Sequence, residues 1–408
     1  MKYLFVHQNF PAQYVHLLRR LAARGQDEIL FLTENNRAML DGVRKVVRRV
    51  PRAAHASTHR DAQDFELACI RAQAVAGSGE QLKSLGFVPD IVIGHHGWGE
   101  LLNVQDVWPN VPLLGYYEFY YNETGFDVGF DPEFPLPAGN SPRVRTKNAV
   151  NLIALNSPGH GQTPTDFQLS TYPDWATPRI SVLREGVDLD ICRPNPAISK
   201  KPITLGGYKV APEDKLVTYV ARDLEPYRGF HVMMRALPRL LAARPDIRVI
   251  MVGGDGVSYG AKSPVGTWRE RMMGEIGDRV DWSRVHFVGK VPYEGYIKLL
   301  QRSDAHVYLT YPFVTSWSLR EALATGCALV GSNTAPVQEF VQHRKTGLLT
   351  PFHNPEALAD SVLELLENRA LSTRLRRYAR AWAEKHLDMK EYLENYEKLI
   401  ADVIEGRV

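Results

Sequence analysis

Two arginines six residues apart, Arg222 and Arg228, bracket the turn in ARDLEPYRG between a strand-like run and a helix-like one. Fixed positive charge on such a turn suits a diphosphate, which guanidinium groups grip through paired N–H donors; an ordinary solvated surface carries such pairs as well. Three later features share this position at a strand end. VGGDG offers Gly254, where a missing side chain permits close approach to a ligand or a tight turn. FVGKV brings Lys290, with main-chain groups fit to hold a flat base or to complete a buried strand. In YPFVTSWSLREALATGCALV, Thr315, Ser316, Trp317, Ser318 and Leu319 lead into an apolar helix whose first N–H groups suit a phosphate. Glu321 has two readings: a ribose-diol acceptor, or a capping-box partner three residues after Ser318. Phe313 stands in the loop, and the nearest earlier acid is Asp304.

Such residues must be brought together by a scaffold. Apolar strand-like runs at 3–7, 28–33, 90–95, 112–117, 152–156 and 180–184 alternate with helical patterns, including 11–25, which opens on Pro11 and stops at Gly25. The alternation restarts at 216–221 and continues through 247–256, 284–291, 305–311 and 328–332, predicting α/β with parallel sheets. A proline-bearing stretch without periodicity separates the halves. The expected division is therefore a first doubly wound domain over 1–187, a linker over 188–212, a second domain over 213–388, and a final helix over 389–408 crossing back to the first. Ligands bind at the carboxyl ends of strands, so two such domains facing each other imply a central cleft.

The first half supplies candidates of its own. His95 and His96 end one strand, and Glu118 follows the next inside an aromatic run that includes Tyr117 and Tyr120. Aromatic faces suit sugar rings, although packing explains such a cluster equally well. The histidines suit a sugar contact or a cleft wall.

Hydrophobic content of 44% with 23% charged residues is that of a globular protein. The three cysteines lie far apart in no disulfide or metal-ligand spacing, as in a reducing cytosol. No signal-like segment or membrane-length apolar run is seen, so a cytoplasmic location is expected. The net charge is +3, and positive residues concentrate in 37–60, where Asp41 is the one acid. That region reads as a solvated face or as a peripheral contact with anionic lipid at the inner membrane face. No nucleic-acid reader motif accompanies it.

The order of these features resembles the retaining glycosyltransferases of family 4, of GT-B fold, over nearly the whole chain. EGVDLDICRP stands where that family has its interdomain Gly-Val-Asp segment, and PVQEFVQHRKTGLL resembles its strand and loop after the donor-site helix. HQNFPAQY, HHGWGELL, GYYEFYYNETGFDVGFDPEF and PTDFQLSTYP resemble a branch common in bacterial polysaccharide gene sets. The resemblance implies that Arg222 and Arg228 hold the donor diphosphate, spaced by six rather than five and with Arg where Lys is usual. It implies that Glu321 is the second glutamate of a Glu-x7-Glu motif whose first position is Phe313. Pro11-Ala12-Gln13 replaces the usual Gly-Gly loop, placing Ala12 and Gln13 at the donor, and Glu118 stands where a histidine is common. The implied activity is retaining, metal-independent transfer of a hexose from a nucleoside-diphosphate sugar, UDP slightly favoured over GDP. The acceptor is a carbohydrate or lipid-linked hydroxyl, with no further cofactor. A non-catalytic sugar-nucleotide-binding subunit and an epimerase of the same fold are the alternatives.

Overall fold

A computed structural model of the chain describes residues 1–34, 37–198 and 201–408. Most strands are short and apolar on both faces, the pattern of a parallel sheet covered by helices. In the first unit these are β1 (Lys2–Val6), β2 (Glu28–Thr33), β3 (Arg44–Val47), β4 (Ile91–His95), β5 (Leu113–Tyr116), β6 (His160–Thr163) and β7 (Ile180–Val182). They form one sheet in the order β3-β2-β1-β4-β5-β6-β7, every pair parallel. The second unit opens with an antiparallel hairpin, β8 (Ile203–Leu205) and β9 (Tyr208–Val210). Its main sheet contains β10 (Lys215–Asp223), β11 (Ile247–Gly254), β12 (Val285–Phe287), β13 (Ala305–Tyr308), β14 (Leu329–Ser332) and β15 (Leu348–Thr350). These run parallel in the order β12-β11-β10-β13-β14-β15.

The chain divides into Met1–Glu185 with Lys390–Val408, and Gly186–Met389. The last helix, Met389–Ile404, packs within the first unit through buried Leu393, Tyr396, Leu399 and Ile400. Arg20 Nε donates to Glu397 at 2.6 Å, and the Gln162 amide donates to the Tyr396 hydroxyl.

Three sequence expectations are corrected. Residues 152–156, expected as a strand, lie in the helix Ala149–Asn156. A five-residue apolar run cannot distinguish the two states by periodicity. Side chains one turn apart anchor this helix: Asn148 Oδ1 accepts from the Tyr121 N–H at 2.9 Å, and Asn151 Nδ2 donates to the Phe119 carbonyl at 3.0 Å. The strand is instead the polar but buried HGQT of β6, its His160 Nε2 placed 2.8 Å from Ser181 Oγ. The basic region 37–60 is not uniformly a solvated face. It contains edge strand β3, and just beyond it Arg48 turns inward to a buried ion pair with Glu100, with Glu34 at 3.3 Å. The linker carries hairpin β8–β9, turned by Gly206 and Gly207 at φ of +56° and +83°; its residues 199–200 lie outside those described.

Candidate functional site

In the second unit, β10 ends beside β11 with Asp223 opposite Gly254. A Cβ on Gly254 would lie 2.6 Å from Asp223 Oδ1 and 3.1 Å from Lys290 Cε, so a side chain there would push these two groups aside. Asp223 accepts from the Ser258 hydroxyl at 2.5 Å and lies 4.0 Å from the exposed Lys290 ammonium. Arg222 is exposed at the same strand end.

Arg228 is placed otherwise. It ends a single 3-10 turn, Pro226–Arg228, and Gly229 follows at φ +67°, where any side chain would overlap Leu309. The guanidinium is buried, donating to Thr310 Oγ1 at 2.9 Å and the Val314 carbonyl at 2.8 Å, and lies 5.0 Å over the Tyr259 ring. It ties the turn after β10 to the loop after β13. A second tie comes from fully buried Glu225, whose carboxylate accepts from the N–H groups of Ser258, Tyr259 and Gly260 at 3.0–3.3 Å. Between them, Arg228 and Glu225 fix the loops flanking the exposed cations.

The loop after β13 enters the helix Trp317–Ala324, with Ser316 as its N-cap residue. Glu321 thus lies too deep in the helix for a capping box with Ser318. The Ser316 N–H donates to the Tyr308 hydroxyl at 2.8 Å, and Ser316 Oγ lies 2.6 Å from Ser318 Oγ. Thr315 is buried, and Trp317 is exposed. Leu319 has its side chain fully buried, and its N–H donates to the Ser316 carbonyl. Phe313 is also buried, edge-on to Tyr259 and Tyr227 at 5.0 and 5.6 Å, so it forms the wall of an aromatic cluster. Glu321 accepts from the Tyr293 hydroxyl through Oε1 and from the Tyr296 hydroxyl through Oε2, each at 2.8 Å. Burial pushes its carboxyl above the ordinary value, and the two phenol donors oppose that rise.

In the first unit, β1, β4 and β5 direct His7, His95 and Glu118 to their carboxyl ends. His95 Nδ1 accepts from the Gly97 N–H at 3.0 Å, leaving Nε2 to face Glu118 Oε2 at 3.6 Å. The buried His7 ring stands edge-on to His95 at 5.6 Å. Its Nδ1 accepts from the Asn9 N–H, and burial lowers its pKa to about 3. His96 points elsewhere: buried against Tyr117, its ring centroid 4.6 Å away, it occupies space that a side chain on Gly115 would take. Its pKa too is lowered to about 3, chiefly by burial. Tyr117 is buried in a core cluster with Tyr172, which closes its faces to a sugar. Tyr120 is partly exposed at the edge of that cluster. Ala12 adopts φ +52°, so the Pro11-Ala12-Gln13 turn has the left-handed backbone that glycine favours. Gln13 Nε2 is buried there, beside the buried Tyr14 hydroxyl.

Sequence reasoning missed His7, Asp223, Glu225, Tyr259, Tyr293 and Tyr296. Glu225 had a local signal, an acid inside the turn that carries the arginines. The tyrosines had none, because their hydroxyls meet Glu321 only through tertiary packing. Among the described residues, no three His, Cys, Asp or Glu side chains gather as a metal site, and no helix is long and apolar enough to cross a membrane.

Two family models match. One, described as Glycosyl transferase family 4 group, covers residues 25–192, and Glycosyl transferases group 1 covers 207–382. The chain belongs to the family 4 glycosyltransferases. Among solved structures, this family 4 chain is similar to sucrose-phosphate synthase from Thermosynechococcus elongatus, with TM-score 0.75, 16% identity and full coverage of both chains. It is also similar to Anabaena HepE in complex with UDP, with TM-score 0.66, 15% identity, and 98% of this chain and 100% of that one covered. The architecture is GT-B. A curated relative, D-inositol 3-phosphate glycosyltransferase of Corynebacterium glutamicum, is 29% identical over 284 residues, 67% of this chain and 62% of that protein. The phosphatidyl-myo-inositol mannosyltransferase of Mycobacterium tuberculosis is 28% identical over 171 residues, 40% of each. The family 4 chain thus spans less than two thirds of the length of these relatives.

Proposed function

We propose that this chain is a retaining hexosyltransferase that moves a sugar from a nucleoside diphosphate to a hydroxyl of a carbohydrate or lipid-linked acceptor, without a resident metal. The observation that carries this reading is Glu321: a mostly buried carboxylate with both oxygens oriented by phenol donors, beside a helix start suited to phosphate. The ribose is held by Glu321. As the anomeric C–O bond breaks, its electron pair passes to the diphosphate. Arg222, Lys290 and the amino end of helix Trp317–Ala324 stabilise that charge. Retention requires the acceptor oxygen to arrive on the face from which the diphosphate departs; as the new C–O bond forms, the acceptor proton passes to the departing diphosphate. Arg228 acts indirectly, by holding Thr310 and the Val314 carbonyl in place.

Within the first unit, Glu118, which faces His95 Nε2 at 3.6 Å, is the carboxylate we assign to the transfer. The buried aromatic setting of Phe313 favours a second reading, a subunit that binds a sugar nucleotide without turning it over. Incubation with a panel of UDP- and GDP-sugars, with and without carbohydrate acceptors, separates the two. Nucleotide release with at least one donor is expected, UDP ahead of GDP; binding without hydrolysis or transfer overturns the enzymatic reading.

A further inference from the structure

We propose that Tyr293 and Tyr296 are positioning residues that set Glu321 as a reader of the ribose diol, so that discrimination between ribo- and deoxyribonucleotides resides in two phenol hydroxyls. This rests on the donor-site reading above. A carboxylate has about four lone-pair sites, two on each oxygen. The two phenols take one on each, at 2.8 Å, leaving one on each oxygen. Two parallel acceptors of that kind match the vicinal hydroxyls of a ribose, as they match a guanidinium fork elsewhere. Without the phenols the carboxylate is free to rotate and present a single oxygen.

The two tyrosines are not equivalent. Tyr296 is buried, whereas Tyr293 is half exposed at the start of helix Tyr293–Arg302. The Tyr293 hydroxyl also lies 3.5 Å from the Sγ of fully buried Cys192. Its one proton goes to Glu321, so it accepts from the thiol, and a chain Cys192 S–H to Tyr293 O–H to Glu321 connects the opening segment of the second unit to the carboxylate. Cys192, Tyr293, Tyr296 and the neighbouring Arg320 are the titratable or charged groups that act on Glu321. Phenol donation favours the ionised carboxylate, the form that accepts from a diol.

The test uses the full chain and four probes, UDP, GDP and their 2′-deoxy forms, measured by calorimetry in the wild type, Tyr293→Phe, Tyr296→Phe and the variant carrying both substitutions. Both phenylalanine variants keep the ring and its packing. The wild type is expected to bind a ribonucleotide more tightly than its deoxy form, and each phenylalanine variant to lose about tenfold of that ratio. Deoxynucleotide affinity itself should change little, a pattern that a merely structural loss does not produce. In the double phenylalanine variant the acid-side fall in ribonucleotide affinity should move to higher pH. Equal affinity of the wild type for ribo and deoxy forms overturns the ribose reading of Glu321 and this proposal with it. A wild-type preference that survives in both phenylalanine variants overturns the proposal alone.

Discussion

Replacing Arg228 by alanine should damage stability as well as turnover. Its guanidinium is buried and donates to Thr310 Oγ1 and to the Val314 carbonyl. Hydrogen bonds from a charged donor contribute ~1.5–3 kcal/mol each, and an acceptor left unpaired in the interior costs a similar amount. Water entering the vacated space restores part of this, which leaves a net loss on the order of 4 kcal/mol. For a unit of this size each kcal/mol lowers the midpoint by roughly 2–4 °C, so the second unit should melt about 10 °C earlier. Arg222→Ala is the control, because that side chain is exposed and its loss should stay within about 0.5 kcal/mol. Under the proposed function, however, Arg222→Ala removes a cation from the departing diphosphate and should lower kcat by about 100-fold. Calorimetric melting of both variants, paired with nucleotide-release rates, provides the assay. If Arg228→Ala melts within 2 °C of the wild type, its role as a tie between loops is refuted. Loss of stability in Arg222→Ala would equally refute the division of labour between the two arginines.

Three other outcomes are expected. Glu225→Gln should speed amide exchange at Ser258–Gly260 and weaken nucleotide binding, since three backbone donors lose a charged acceptor; unchanged exchange there counts against the tie. Gly115→Ala should cost more than about 2 kcal/mol by urea titration, because the new methyl group meets the His96 ring. His7 and His96 are each lowered to about 3 from 6.5, so the unfolded chain takes up protons that the folded chain refuses. Stability present above pH 6.5 should therefore fall toward pH 3, by up to about 1.4 kcal/mol per pH unit for each histidine. His96→Gln should flatten the slope, and an unfolding midpoint constant between pH 6 and 4 would contradict the assignment.

Much of the fold was legible because parallel strands buried on both faces announce themselves as apolar runs. Those of the second sheet from β10 to β14 were read in their places. The failures have physical causes. The apolar run 152–156 was too short to carry a period, while β6 is polar and buried through tertiary partners such as Tyr396. Strand β3 was hidden by its charges, since an edge strand tolerates lysine and arginine. Within the candidate site, residue types in the loops pointed to phosphate and ribose, but exposure could not be read. Arg222 and Arg228 look alike in sequence and differ completely in burial. Leu319 and Phe313 stood among site residues by position, yet both side chains are buried.

The two ends of the second unit lie side by side. Val187 forms a parallel bridge with Asp388, and its N–H donates to the Leu387 carbonyl at 2.8 Å. In topological terms Gly186–Met389 is an insertion whose entry and exit are stitched together. A segment closed in this way can be cut out without stretching what remains. Expressed alone, it should fold and retain the loops after β10 and β13, while a short bridge across the same gap should let the first unit close on its own last helix.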